Sequence, residues 1–330
     1  METNLKERRF EKELAVAPML KVTTPCFRRF LGIISPTVAL YTEMIVANTV
    51  VNVTDHKLRF LLGDPTETTV VQIGGSDPPM IATAVERLIG MGYDKFNLNC
   101  GCPSDRVQKG MFGAILMKHK ELVSEIINCV YDRCGVIMTV KCRIGVDEFD
   151  SYDFFSEFIS HIADTTKCRV FYVHARKCWL RGLNPRQNRN IPPLHYEFVH
   201  KIKEDRPNLF IGLNGGIKAR NIDSVGDLDG AMIGREAWNN IEVFNEIRGE
   251  AVDMKEAVRE YLEWCSTTEY SISRVVQPLI NIRKGMGNSK AYKKALNDAV
   301  QNKTKDFLDF YQNIEHFYHS NSGDLLISPS

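Results

Sequence analysis

Short apolar runs alternate with longer amphipathic stretches from residue 14 to residue 234. The runs are Leu14–Ala17, Ala39–Thr42, Val70–Ile73, Phe96–Asn99, Ile137–Lys141, Val170–His174, Phe210–Asn214 and Ala231–Gly234. Each is strand-length, and the stretches between them, such as Pro79–Met91, His119–Arg133 and Tyr152–Ala163, carry apolar residues at three- and four-residue spacing. That spacing puts one apolar stripe on a helix, as expected for helices packed on a sheet. Eight βα units at this rhythm predict a (β/α)8 TIM barrel, because an open doubly wound sheet usually has fewer strands. After Glu246 the strand rhythm stops, and Val252–Trp264, Ile272–Arg283, Ala291–Asn302 and Phe307–Tyr318 read as helices. The expected organisation is a barrel domain over residues 1–246 and an all-helical domain over 247–330, with a frayed small-polar tail from Asn321 to Ser330.

Composition narrows the setting without naming a partner. The chain has 330 residues, with 42 basic and 41 acidic side chains, so no global field announces nucleic acid or membrane. Charge is biased only locally. Between Arg274 and Lys305 stand eight basic residues (274, 283, 284, 290, 293, 294, 303 and 305) and one acid, Asp298. A solvated helix face accounts for any one of these; together they also suit a surface that tracks phosphates. Nine cysteines without regular spacing, from Cys26 to Cys265, suggest free thiols in a reducing compartment, hence a cytoplasmic protein. Met1 to Lys12 is charged and lacks an apolar core, and no apolar run reaches membrane-spanning length, so neither signal peptide nor membrane association is expected.

In a barrel, chemistry gathers at the carboxyl ends of the strands. Six apolar runs here end in polar or reactive residues: Gln72 with Gly74 and Gly75; Asn97 and Asn99 before Cys102; Lys141 and Arg143; His174 and Arg176; Asn214, Gly215 and Gly216; Gly234 and Arg235. Cys102 falls at a loop mouth just past Gly101, where either a reactive thiol or an ordinary structural cysteine can stand. The glycine-rich ends of the seventh and eighth runs lie where barrels often bind phosphate through backbone amides, although glycine also serves tight turns. Lys141 and His174 would bring positive charge or hydrogen-bond donors to the mouth, which suits an anionic reduced flavin; a structural ion pair and an interior histidine are the plainer readings. A Cys100-x-Cys102 metal site has no matching second pair, so no metal is expected.

The ordered motifs Ala17-Pro-Met-Leu20, Tyr41-Thr-Glu-Met44, Val71-Gln-Ile-Gly-Gly-Ser-Asp77, Asn97-Leu-Asn-Cys-Gly-Cys-Pro-Ser-Asp-Arg-Val107, Gly110-Met-Phe-Gly-Ala114, Val140-Lys-Cys-Arg-Ile-Gly145, His174-Ala-Arg-Lys177, Asn214-Gly-Gly-Ile-Lys218 and Gly234-Arg-Glu236 resemble the tRNA-dihydrouridine synthases, specifically the A subfamily. The resemblance implies a flavoprotein that reduces the C5–C6 double bond of a D-loop uridine, at positions 20 and 20a of tRNA, with NADPH recharging FMN. By similarity Pro18, Met19, Leu20, Gln72, Lys141, His174, Asn214, Gly215, Gly216, Gly234 and Arg235 hold the flavin, and Cys102 is the proton donor. Asn99, Arg143, Arg176, Arg186, Arg189, Lys290 and Lys293 are implied on the substrate side, Asn99 orienting the pyrimidine edge. The chain departs from the pattern at Lys21-Val-Thr23, where Asp-Trp-Thr is usual, at Gly285-Met-Gly-Asn288, and at Lys290 and Lys293, where arginines are usual. Lysine keeps the charge there but not the bidentate fork. Two other readings remain at this point: an FMN-barrel oxidoreductase for a free small pyrimidine, and a non-catalytic tRNA-binding protein; the oligomeric state is left open, with a monomer expected.

Overall fold

The computed structural model describes residues 10–104 and 110–318. Asp105, Arg106 and Val107 of the longest motif, most of the charged N-terminal segment and the expected frayed tail lie outside the described residues. The strands are β1 (Glu13–Val16), β2 (Ala39–Tyr41), β3 (Ile45–Val46), β4 (Thr69–Gly74), β5 (Phe96–Cys100), β6 (Thr139–Arg143), β7 (Val170–His174), β8 (Phe210–Asn214) and β9 (Gly230–Ile233). All pairings between them are parallel, and those of β1 with β9 and of β2 with β4 close the sheet into a barrel. The eighth position is filled by β2 with its continuation β3, both paired to β4. The interruption between them leaves the Gln72 amide without a ladder partner, and it donates instead to Thr42 Oγ1 at 3.1 Å. The expected barrel is therefore present, with strand ends displaced by a residue or two. Ile137, counted in the fifth run, is 44 % exposed and precedes the strand.

What fills the barrel decides which end is open. Tyr41 on β2 and Tyr172 on β7 stand on opposite sides of the ring of strands, so their edge-to-face contact at 5.8 Å must cross the interior. Ala15, Ala17, Val70 and Met232 complete this cluster, with Val170 and Phe210 packed against it, and Tyr172 Oη donates to Glu13 Oε1 at 2.5 Å. The amino end of the barrel is thus plugged by aromatic and aliphatic side chains, and the carboxyl end is left for polar groups. Gly212 makes room for the plug, since a Cβ there would sit 2.3 Å from Tyr172 Cε1.

By its internal packing the chain forms two compact units. One comprises the chain up to Pro25 together with Thr37–Arg235; the other comprises Cys26–Pro36 and the chain from Glu236 on. The helix Pro25–Ile34, which follows β1 in sequence, therefore falls almost wholly in the second unit, where Phe30 packs tilted against Tyr261 at 5.2 Å and Asn245 Nδ2 donates to Ile34 O at 2.7 Å. Of the helices expected there, Met254–Ser266, Ser289–Gln301 and Phe307–Ile314 are present, the first and last capped by Asp253 and Asp306. The expected continuous helix Ile272–Arg283 is instead a short helix, Ile272–Val275, and a 3-10 turn, Gln277–Leu279. Pro278 has no N–H to continue the ladder and its ring clashes with the preceding turn.

The plug yields a stability test. Gly212→Ala overpacks it against the Tyr172 ring and should destabilise the barrel by about 1–3 kcal/mol, read from the urea unfolding midpoint. An unchanged midpoint would mean that the ring is not held where it lies.

Candidate active site

Above the plug, strand alternation turns Gln72, Asn97, Asn99, Lys141, His174 and Asn214 towards the open end, while Cys100 and Cys142 take the opposite face in register with each other. Amide side chains tie this layer together. Gln72 Nε2 donates to Asn97 Oδ1 at 2.8 Å, Asn97 Nδ2 to Thr139 Oγ1 at 2.9 Å, and Asn99 Nδ2 to Gln72 Oε1 at 2.7 Å. Buried amides must be satisfied, and each fixes the orientation of the next.

Asn99 carries this order to the thiol. Its Oδ1 accepts from Gly101 N at 3.1 Å and from Cys102 N at 3.0 Å, folding the residues after β5 into a local turn. The Cys102 carbonyl accepts from Ala114 N at 2.9 Å, which ties the turn to the 3-10 helix Gly113–Lys118. The Cys102 side chain is half-buried, and its thiol lies 3.5 Å from Ser104 Oγ. The cysteines in and beside the strands differ: burial raises the Cys100 thiol well above its ordinary value and pushes Cys142 and Cys168 up to about 12. They are inert interior thiols.

Around this turn the mouth is rich in donors and poor in acids. Lys141 Nζ donates to Asn214 Oδ1 at 2.9 Å, and Asn214 Nδ2 to Met232 O at 2.7 Å. Burial, with the Arg143 charge behind it, lowers Lys141 to about 8, so the ammonium is retained at neutral pH. Burial, reinforced by Arg143, Lys141, Arg176 and Arg235, holds His174 well below the usual histidine range. The imidazole is therefore neutral and offers hydrogen bonding rather than the positive charge considered for it. Arg176 Nη1 reaches Pro192 O, while its Nε is buried with no partner among the described residues. Arg235 Nη1 donates to Asn190 Oδ1 at 2.5 Å and Nη2 to Arg189 O at 3.3 Å.

The glycines shape the rim. Gly215 and Gly216 have φ of +118° and +73°, a region that disfavours side chains, and a Cβ on Gly215 would lie 2.8 Å from the His174 ring. Tyr196 Oη donates to the Gly215 carbonyl at 2.5 Å and holds this turn. At Gly234 a Cβ would come no nearer than 3.5 Å, to Ala17. Among the described residues one buried donor at the mouth, Arg176 Nε after β7, has no partner, and a glycine turn follows β8; both features suit an anion.

The structure brings Gln72, Asn99, Cys102, Lys141, Arg143, His174, Arg176, Asn214, Gly215, Gly216, Gly234 and Arg235 to the carboxyl ends of the barrel strands. Pro18 and Met19 follow β1 in a turn closed by Thr23, whose Oγ1 accepts from Met19 N at 3.0 Å; this is the residue kept from the usual motif. Leu20 is 75 % exposed, and Lys21 next to it takes φ of +62°. Asn99 spends its carbonyl oxygen on the Cys102 turn. Arg143, expected on the substrate side, is buried and donates to backbone carbonyls. Arg186 and Arg189 are exposed on the loop between β7 and the helix Tyr196–Asp205. In the other unit, Lys290 is exposed in the first turn of Ser289–Gln301 and Lys293, just past that turn, is half-buried. Sequence reasoning missed Asn188, which is fully buried between exposed neighbours and bonds Trp179 and Leu183. Its position between two basic residues gave no sign of this.

Comparison with known proteins agrees with this geometry. The family model "Dihydrouridine synthase (Dus)" matches residues 15–318. A tRNA-dihydrouridine(20/20a) synthase of Yersinia pestis is 36 % identical over 299 residues, covering 87 % of this chain and 86 % of its own. The enzyme of the same name from Escherichia coli K12 is 36 % identical over 296 residues (86 % and 85 %), and that of Xylella fastidiosa 34 % over 304 residues (89 % of each). The chain belongs to the dihydrouridine synthase family.

Proposed function

We propose that the chain reduces uridine in the D-loop of tRNA, at positions 20 and 20a, to 5,6-dihydrouridine, with FMN as bound cofactor, NADPH as reductant and Cys102 as proton donor. The observation that carries this reading is the Asn99 turn, which fixes a half-exposed thiol at the mouth of a barrel lined with cationic and amide donors. The residues present suit FMN: Arg176 Nε, which has no partner among the described residues, the Gly215–Gly216 turn, Gly234 and Arg235 suit its phosphate, and Lys141 with Gln72 and Asn214 suits its ring. Pro18, Met19 and Leu20 border the same mouth. Bound there, the flavin supplies the hydride for C6 of the uracil.

The protein's own part is binding, orientation and proton supply. Lys141, oriented by Asn214, puts a cation where negative charge develops, and neutral His174 adds a hydrogen-bonding ring without competing charge. Cys102 acts as a thiol that gives its proton to C5. Because the target base is stacked in folded tRNA, it must be turned out into the mouth, and the unstacking must be offset by contacts elsewhere on the RNA. Arg186 and Arg189 supply such contacts from the barrel unit, and Lys290 and Lys293 from the helical unit, where a helix amino end adds to their attraction for phosphate. Among the described residues no helix is long and apolar enough to cross a membrane. We place the protein in the cytoplasm, acting as a monomer.

Two measurements follow. Purified protein reconstituted with FMN and given NADPH should form dihydrouridine in an unmodified tRNA transcript and leave free uridine unreduced. A preparation that takes up no FMN, or that reduces free uridine as readily, would overturn the reading. Second, since Lys141 titrates near 8 and an anion favours its charged form, FMN affinity should fall as pH rises through about 8, and Lys141→Met should flatten that limb. Fluorescence titration of the apo-protein reads both.

A further inference from the structure

Arg143 ends β6 and is 3 % exposed, and among the described residues it forms no ion pair with a carboxylate. Its hydrogen bonds go to backbone carbonyls of three separate segments: Nε to Gly101 O at 2.8 Å, and Nη1 to Lys177 O at 3.1 Å and Asn188 O at 3.2 Å. Gly101 immediately precedes Cys102. Asn188 organises the loop that carries Arg186 and Arg189, since its buried side chain donates to Trp179 O and Leu183 O and accepts from Trp179 N. A buried guanidinium is costly to desolvate, and an apolar side chain would fill the same space at less cost. What an apolar side chain cannot do is bind three carbonyls pointing in from different loops, which a planar, permanently charged fork with five donors does. The 3 % exposure also leaves the guanidinium little reach towards a bound base.

We propose that Arg143 is a positioning residue that clamps the Cys102 turn, at Gly101, to the RNA-facing loop, at Asn188, so that the proton donor and the arginines that capture the RNA are held as one assembly. This rests on the function proposed above. Looseness on either side of the clamp is then transmitted to the other: when the Asn188 loop opens, the Gly101 carbonyl loses a partner that is shared with it. The flavin-facing groups Gln72 and Asn214 make no hydrogen bond to Arg143 and are left as they are.

The test compares Arg143→Met and Arg143→Lys with the wild type in two readouts. In the first, Cys102 is alkylated with iodoacetamide and followed by peptide mass spectrometry, which requires neither flavin nor RNA. Loss of charge-assisted hydrogen bonds should loosen the turn and speed Cys102 alkylation by about tenfold in Arg143→Met, with Arg143→Lys intermediate. In the second, single-turnover reduction of tRNA by the flavin-loaded, pre-reduced protein should fall by about tenfold or more in Arg143→Met, with partial rescue in Arg143→Lys, while tRNA-free NADPH oxidation stays within about twofold of wild type. Asn188→Ala should lower tRNA reduction as well, and its effect combined with Arg143→Met should be less than the product of the two, because both act through one loop. Wild-type alkylation and reduction rates in Arg143→Met would overturn the clamp, as would an equal loss in NADPH oxidation, which marks general damage. If Arg143→Met does not accumulate as folded protein, Arg143→Lys decides by the same two readouts. A wild-type protein that reduces no tRNA would sink the functional reading instead, with the alkylation comparison still deciding the clamp.

Discussion

The carbonyl oxygen of the Asn99 side chain accepts two backbone hydrogen bonds, from Gly101 and Cys102, and it folds the turn that carries the thiol. Asn99 is free to do this only because its own amide is fixed by Gln72, Gln72 by Asn97, and Asn97 by Thr139. These residues sit on three neighbouring strands, so the register of β4, β5 and β6 is written directly into the position of Cys102. A slip by one residue would turn every member of the chain to the outer face.

The same register explains why the site is open at one end and electrically one-sided. The Tyr41–Tyr172 plug fills the amino end, so space remains only where strand ends turn polar. There Lys141, Arg143, Arg176 and Arg235 gather round a neutral His174, and the partners they find are carbonyls and amides. Such a mouth carries desolvated donors, and in the function proposed above they stand ready for charge that develops on a ligand. Pre-organisation of this kind costs stability in the empty protein and returns it on binding.

Much of this was legible in the sequence, for identifiable reasons. Buried parallel strands read as short apolar runs and their helices as amphipathic stretches, so eight units and their polar ends could be located from periodicity. The motifs at those ends identified the family that comparison bears out. The illegible parts are interactions in which one partner is backbone. Nothing in the letters shows that Arg143 would turn to Gly101, Lys177 and Asn188, because every residue offers the same carbonyl. Asn188 was hidden for a like reason, as a buried residue in a loop whose neighbours are exposed. The membership of Pro25–Ile34 in the second compact unit depends on packing with residues more than two hundred positions away, which local pattern does not report. The break at Pro278, in contrast, was present in the sequence and outweighed by the apolar spacing around it.

The central claim is that Cys102 is the group that completes reduction by giving a proton to the base. Its most direct measurement is single-turnover formation of dihydrouridine in tRNA by flavin-loaded, pre-reduced Cys102→Ala protein. The account predicts normal flavin content and normal tRNA-free NADPH oxidation, with product formation lost; product formed at the wild-type rate would contradict it.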